Sequence, residues 1–181
     1  MGQFELGSFA TSYIPTTTAT VTRSADVASI TGTNFSSWYR QDEGTVFAET
    51  QLQSTSARNA AGFDINDTTT NNRLIFRAQT TGSADQMIIR SGGSTVATLS
   101  SATAPGLITR RNIGAYRLDN FAFTAQAGEP AVDSLGAVPV NPTQMLIGSG
   151  LSSSELLGGT IRRLVYWGQR LPNSVLQVIT Q

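Results

Sequence analysis

The chain has 181 residues, twelve acids balanced by twelve bases, and neither Cys nor His. That length suits one domain with a sizeable core, while the two missing residue types exclude disulfides, thiol chemistry, the usual zinc ligands and any Ser-His-Asp triad. The charge balance gives no global field toward nucleic acid or an anionic membrane, and no apolar run approaches the ~20 residues that span a bilayer.

Charged residues make up 13% of the chain, about half the usual quarter, while Ser, Thr and Gly are abundant. Thr favours strands and Ser and Gly favour turns, so the composition points to an all-β fold. Every base is Arg, whose planar fork pairs with carboxylates and stacks on rings.

In chain order, residues 1–18 read as a connector or the end of a preceding module, and 19–181 as the main domain. Met1-Gly2-Gln3-Phe4 lacks the basic and apolar regions of a signal peptide. Phe4, Leu6, Phe9, Tyr13 and Ile14 are more apolar than an idle connector needs, which marks a contact strip between subunits. Val21 to Ile30 is the first expected strand, followed by a turn-rich loop that carries Trp38 and Tyr39. From Thr45 to Leu52 the pattern alternates, with Val46, Ala48 and Leu52 opposite Phe47, Glu49 and Gln51. Asn59 to Ile65 is a strand, and the Asn and Asp content of 64–72 marks a loop.

The next two runs pair around Thr80-Thr81-Gly82-Ser83, setting Arg77 against Gln86, Ile75 against Ile88 and Arg73 against Arg90. Leu74, Phe76, Met87 and Ile89 then form an apolar face, and a one-residue slip would bury the arginines. A strand follows at Thr95 to Leu99, and another leads from Arg111 to Tyr116, with Asn112, Gly114 and Tyr116 outward and Ile113 and Ala115 inward. Residues 100–107, 126–143 and 149–159 read as loops. Ile161 to Trp167 carries apolar bulk on both faces, as an inner strand does. Pro172-Asn173 starts a short helix with Leu171, Val175, Leu176 and Ile179 on one side.

The polar, Arg-rich face therefore carries Arg73, Arg77, Gln86 and Arg90, joined by Glu49, Gln51, Asn112 and Tyr116 if their strands are neighbours. The candidate ligand residues are Arg77, Arg90, Glu49, Asn112 and Tyr116, with Trp38 and Tyr39 as ring platforms. Forked donors, amides and a ring suit hydroxyl-rich ligands. Glu49 is the one carboxylate of its strand, where retaining glycosidases need two about 5 Å apart. Asp119 or Asp133 would have to supply the second. Asp64, Asn66, Asp67 and Thr68 offer oxygen donors without an EF-hand spacing, and Asx turns explain the same composition. No catalytic residue, metal or cofactor is expected.

The closing run Gly158-Gly159-Thr160-Ile161-Arg162-Arg163-Leu164-Val165-Tyr166-Trp167, the helix after it, Met145-Leu146-Ile147-Gly148, and Arg111-Asn112-Ile113-Gly114-Ala115-Tyr116 together resemble concanavalin A-like (laminin-G-like) jelly-roll domains. At the front, Gln3 to Thr16, Thr22-Arg23-Ser24-Ala25-Asp26 and Trp38-Tyr39-Arg40-Gln41-Asp42-Glu43-Gly44-Thr45 are similar to segments of bacteriophage tail and tail-fibre proteins. The resemblance implies an antiparallel jelly-roll β-sandwich closed by a short helix. It further implies a non-enzymatic lectin-like module for host attachment, binding a host cell-surface glycan as a receptor-binding part of the virion. Such a part is extracellular after lysis, is commonly a homotrimer with neighbouring tail-fibre subunits, and does not insert into a membrane. Its alternatives are a structural or trimerisation module and a polysaccharide depolymerase.

Overall fold

A computed structural model describes residues 13, 15, 19, 21, 27–52, 59–79, 84–102 and 109–181. The expected contact strip at 3–14 and the turn at 80–83 fall almost wholly outside these residues. Among the described residues the strands are β1 (Ala28–Thr31), β2 (Glu43–Leu52), β3 (Ala60–Asn66), β4 (Arg73–Ala78), β5 (Gln86–Ser91), β6 (Ser94–Ser100), β7 (Thr109–Arg117), β8 (Phe121–Ala125), β9 (Ala131–Asp133), β10 (Gln144–Ile147) and β11 (Gly159–Trp167). Two short helices, α1 (Thr33–Ser36) and α2 (Asn173–Ile179), complete the fold.

All pairings are antiparallel. One sheet runs β1-β10-β3-β4-β5-β6 and the other β11-β2-β7-β8-β9. Period-two alternation sends one set of side chains from each sheet into the space between them. Val46 and Ala48 of β2 meet Phe63, Ile65, Leu74, Phe76, Met87 and Ile89 there, with Phe121 and Phe123 of β8. The opposite set on the five-stranded sheet, Phe47, Ile113, Ala115 and Ala122, is covered by Leu176, with Leu171 and Ile179 alongside. The molecule is thus a jelly-roll sandwich with a helix as third layer. The Thr45 hydroxyl ties that layer down, donating to the Gln169 carbonyl at 2.7 Å and accepting from the Leu171 N–H at 2.9 Å.

The β4–β5 register follows the sequence expectation residue for residue: Arg73↔Arg90, Ile75↔Ile88 and Arg77↔Gln86. Other expectations are corrected. Among the described residues the first strand is Ala28–Thr31, with Val21 and Val27 outside it and residues 22–26 of the expected Val21 to Ile30 strand outside the described residues, and α1 occupies the turn-rich loop before Trp38. A three-residue strand, β9, lies inside the expected 126–143 loop, and a 3-10 turn at Ser153–Glu155 lies inside 149–159. Val175 is 37% exposed, so the buried side of α2 is Leu176 and Ile179.

Among the described residues β11 is an edge strand, not an inner one, paired with β2 alone. Its two apolar faces arise because Leu164 and Tyr166 pack on the core between the sheets while Val165 and Trp167 pack under α2. A layered fold can dry both faces of an edge strand.

Candidate functional site

Alternation along β4 and β5 turns Leu74, Phe76, Met87 and Ile89 inward, leaving Arg73, Ile75, Arg77, Gln86, Ile88 and Arg90 on the outer face of the six-stranded sheet. The register arranges that face in three rows: Asn66-Arg73-Arg90-Thr95, Asp64-Ile75-Ile88-Thr98 and Ala61-Arg77-Gln86-Ser100. Half of this face is covered. Residues 148–157 form a strap, closed by the Leu157 N–H donating to the Gly148 carbonyl at 2.9 Å and anchored by the Gly148 N–H to the Gly62 carbonyl at 2.9 Å. Within it Ser152 and Glu155 form a capping box, which holds the Glu155 carboxylate in place. A Cβ at Gly150 would come within 2.9 Å of Glu155, so the strap needs glycine there.

Glu155 accepts from Arg73 Nη2 at 2.9 Å and from Arg77 Nη2. The same Arg73 nitrogen lies 2.8 Å from Asp64 Oδ2. Arg73, Asp64 and Glu155 are buried, and Arg77 is partly exposed. The two carboxyls titrate in opposite directions. Burial pushes Asp64 up to about 6, with the nearby charge of Glu155 adding to the rise, against the pull of Arg73 and Asn66. Burial also pushes Glu155 up, but the hydrogen bond and charge of Arg73, the Ser152 N–H and Arg77 outweigh it and hold the group below its ordinary range.

Such divergence is what acid–base pairs use. Here, however, the Arg73 guanidinium fills the space between the carboxyls, where a glycosidic oxygen would have to sit. The group is a structural ion cluster.

The uncovered half of the face lies over β5 and β6. Arg77 and Arg90 flank Gln86 and the half-buried Ile88, bordered by exposed Thr98 and Ser100. Arg90 donates through Nη2 to the Gly93 carbonyl at 2.7 Å, which holds the fork while its Nε has no partner.

The seven expected site residues do not come together. Arg77 and Arg90 share this face. Glu49 lies on the outer face of the other sheet, 4.0 Å from Arg111 Nε. Tyr116 and Asn112 are corrected: β7 turns them into the sandwich, and the supposed inner residues Ile113 and Ala115 lie outward under α2. The hydroxyl of Tyr116 donates to the Arg40 carbonyl at 2.5 Å, and its ring lies over Gly44, where a Cβ would meet ring carbons at 2.8 Å. Asn112 donates to Asp85 Oδ2 at 3.1 Å, and Asp85 also binds buried Arg110. Burial raises the Tyr116 and Tyr39 hydroxyls far above the ordinary range, so both stay neutral.

Trp38 and Tyr39 are half-buried and seal one end of the core. Tyr39 stacks on Phe35 at 4.7 Å, and Trp38 meets Tyr166 edge-on at 4.8 Å while its N–H donates to the Asn34 carbonyl at 2.6 Å.

Asp64, Arg73 and Glu155 were missed as a group. Asp64 alternates with Phe63 and Ile65, and Ser152-Ser153-Ser154-Glu155 carries the capping-box spacing, so both signals are in the sequence. Neither Asp119 nor Asp133 approaches Glu49. Register puts Asp133 beside Phe121 in the row of Tyr116 and Gly44, five residues along β2 from Glu49 and hence about 17 Å away along the strand alone. The expected 64–72 loop is shorter, since Asp64 to Asn66 belong to β3. In the loop that follows, Asp67 Oδ1 accepts from the Thr69 N–H at 2.9 Å and Oδ2 from Asn72 at 2.8 Å, so Asx-turn bonding employs the Asp67 oxygens.

No protein-family model and no curated protein sequence matches the chain. Among solved structures it is similar to the CBM40 of the Ruminococcus gnavus IT-sialidase bound to alpha2,3 sialyllactose, with a TM-score of 0.64 and 16% identity over 78% of this chain and 84% of that one. It is also similar to the native heptameric SAP-like pentraxin from Limulus polyphemus, with a TM-score of 0.58 and 13% identity over 77% of this chain and 70% of that one. The mouse laminin alpha1 chain domains LG4-5 give a TM-score of 0.61 and 10% identity over 81% of this chain and 40% of that one. At such identities the likeness carries the fold alone: the chain folds as an antiparallel jelly-roll sandwich like those of concanavalin A-like, laminin-G-like domains.

Proposed function

We propose that the chain is a non-enzymatic carbohydrate-binding module whose ligand face is the open half of the six-stranded sheet. The observation that carries this reading is the strip Arg77-Gln86-Ile88-Arg90, two forked cations flanking an amide and a half-buried apolar side chain. Guanidinium forks hold vicinal hydroxyls or a carboxylate, and Ile88 offers a surface to the C–H side of a sugar ring. The fold's likeness to a CBM40 bound to sialyllactose supports an acidic glycan as ligand class. The finer reading is an adhesion module of a phage tail fibre or spike, carried in the virion and recognising a host-surface glycan. It rests on the sequence resemblance of residues 1–50 and 145–180.

A structural role in the fibre is the second reading, favoured by the internal pairing of Arg73 and Arg77 with Glu155, which leaves less free polar surface than the arginine count suggests. A glycan array of sialylated and neutral sugars separates the two. Binding of acidic glycans, weakened ten- to hundredfold in Arg90→Ala by loss of one charge-assisted hydrogen bond of ~1.5–3 kcal/mol, supports the module. An array without a bound glycan leaves the structural role.

A further inference from the structure

The five-stranded sheet ends in two unlike edges. At β11 the register against β2 slips between Ile161 and Arg163. This irregularity leaves Arg162 and Arg163 both exposed, neighbours that strict alternation would send to opposite faces. Arg162 donates to Gln51 Oε1 at 3.2 Å, and Arg163 stands opposite Glu49, the one acid near it in register. Farther along the same strand Trp167 is half-buried, packed beside the start of α2. This edge is basic, with an aromatic side chain at hand.

The far edge is the reverse. Leu118, Val132 and Leu135 are 61%, 62% and 74% exposed. Two hydrogen bonds join their segments: the Asp119 N–H donates to the Gly136 carbonyl at 3.0 Å, and the Gly136 N–H donates to Asp119 Oδ1 at 2.9 Å. Acids run along this edge at Glu129, Asp133 and Asp119. Arg117, at the end of β7, is the base nearest them in sequence, and its charge bears on Arg170. Scattered apolar side chains are ordinary on a surface. Three of them gathered on one edge and rimmed by acids mark a contact surface.

We infer that the basic edge of one copy of this chain docks on the acidic, apolar edge of the next. Opposite charge selects the partner, and Arg and Trp meeting exposed leucine and valine is the chemistry that interface centres favour. The two edges are different surfaces, separated by the width of a five-stranded sheet, about 19 Å at the usual strand spacing. The contact is therefore heterologous. It builds a ring where the rotation closes and a filament where it does not. This assembly does not rest on the glycan reading, since the open Arg77–Arg90 face belongs to the other sheet and stays free.

Charge swaps test it in the full chain by light scattering at low and high salt. Wild type should associate at low salt and dissociate at least in part at high salt. Arg162→Glu with Arg163→Glu makes both edges acidic, and Glu129→Lys with Asp133→Lys makes both basic. Each variant alone should be monomeric, with a tenfold or larger rise in dissociation constant, and mixing the two should restore association. Leu135→Ser, a milder change at an exposed position, should weaken association without lowering the melting temperature, and it stands in if a swapped variant fails to fold. A wild type that is monomeric at every concentration overturns the inference. So does a swapped variant that keeps the wild-type mass, or a mixture that stays monomeric.

Discussion

Asp64 and Glu155 share one arginine nitrogen but answer to pH in opposite senses. Asp64 is raised to about 6 in the folded chain, against about 3.9 when unfolded. The native state therefore binds this proton more tightly, and its contribution to stability is full below pH 4 and lost as pH rises through 6, a change of about 3 kcal/mol. Glu155 is lowered, so its contribution is present at neutral pH and lost as pH falls below the ordinary glutamate range. Asp85, raised by burial, adds to the trend of Asp64. Urea unfolding of wild type at pH 5 and pH 7, set beside Asp64→Asn, isolates the first term. The variant should show a weaker rise in stability on going from pH 7 to pH 5. An unchanged slope would mean that Asp64 titrates as an ordinary surface acid. At Gly114, where a Cβ would lie 2.8 Å from Phe76 ring carbons, Gly114→Ala should cost ~1–3 kcal/mol by overpacking, read as a lower melting temperature.

At the scale of elements, α2 is a latch. Leu176 is fully buried among Phe47, Ile113, Ala115 and Ala122, so Leu176→Ala should cost ~2–4 kcal/mol through lost burial and a cavity. An unchanged melting temperature would mean that the helix is dispensable. The strap should be nearly as demanding. Glu155→Ala removes one of the two carboxylates that hold buried Arg73 and leaves Asp64 as the other. It should therefore cost less than the ~3–5 kcal/mol of a buried charge left wholly unpaired, read as a lower melting temperature. These two elements also explain what could and could not be read in advance. The β4–β5 register was legible because a one-residue slip would bury arginines on the apolar side. The facing of β7 was not. α2 dries the side carrying Ile113 and Ala115, while the interior accepts Asn112, Gly114 and Tyr116 because Asp85, close-packed Phe76 and the Arg40 carbonyl meet their needs. Polarity along a strand tells which residues share a face, but not which layer covers it. From sequence the strap has the pattern of a plain loop, because its partner, Arg73, is distant along the chain and shares its strand face with Arg77, Gln86 and Arg90.

For the whole molecule, folding rests on apolar layers and ion pairs internal to the chain, so chelation should leave the melting temperature unchanged. A large drop with EDTA would point instead to the oxygen donors at the end of β3 and in the loop after it, Asn66, Asp67 and Thr68. The topology has a kinetic side as well. Thr45 pairs with Trp167, and Leu52 with Gly159, so β2 finds its edge partner only among residues made long after it. Few of these contacts are local, and chains built this way fold in milliseconds to seconds. During synthesis the first long strand must wait, with one edge open and Phe47 not yet covered by Leu176, until nearly the whole described chain has emerged. A nascent chain halted before Gly159 would keep that strand unpaired along one edge, and should be the form most prone to aggregate and to recruit chaperones.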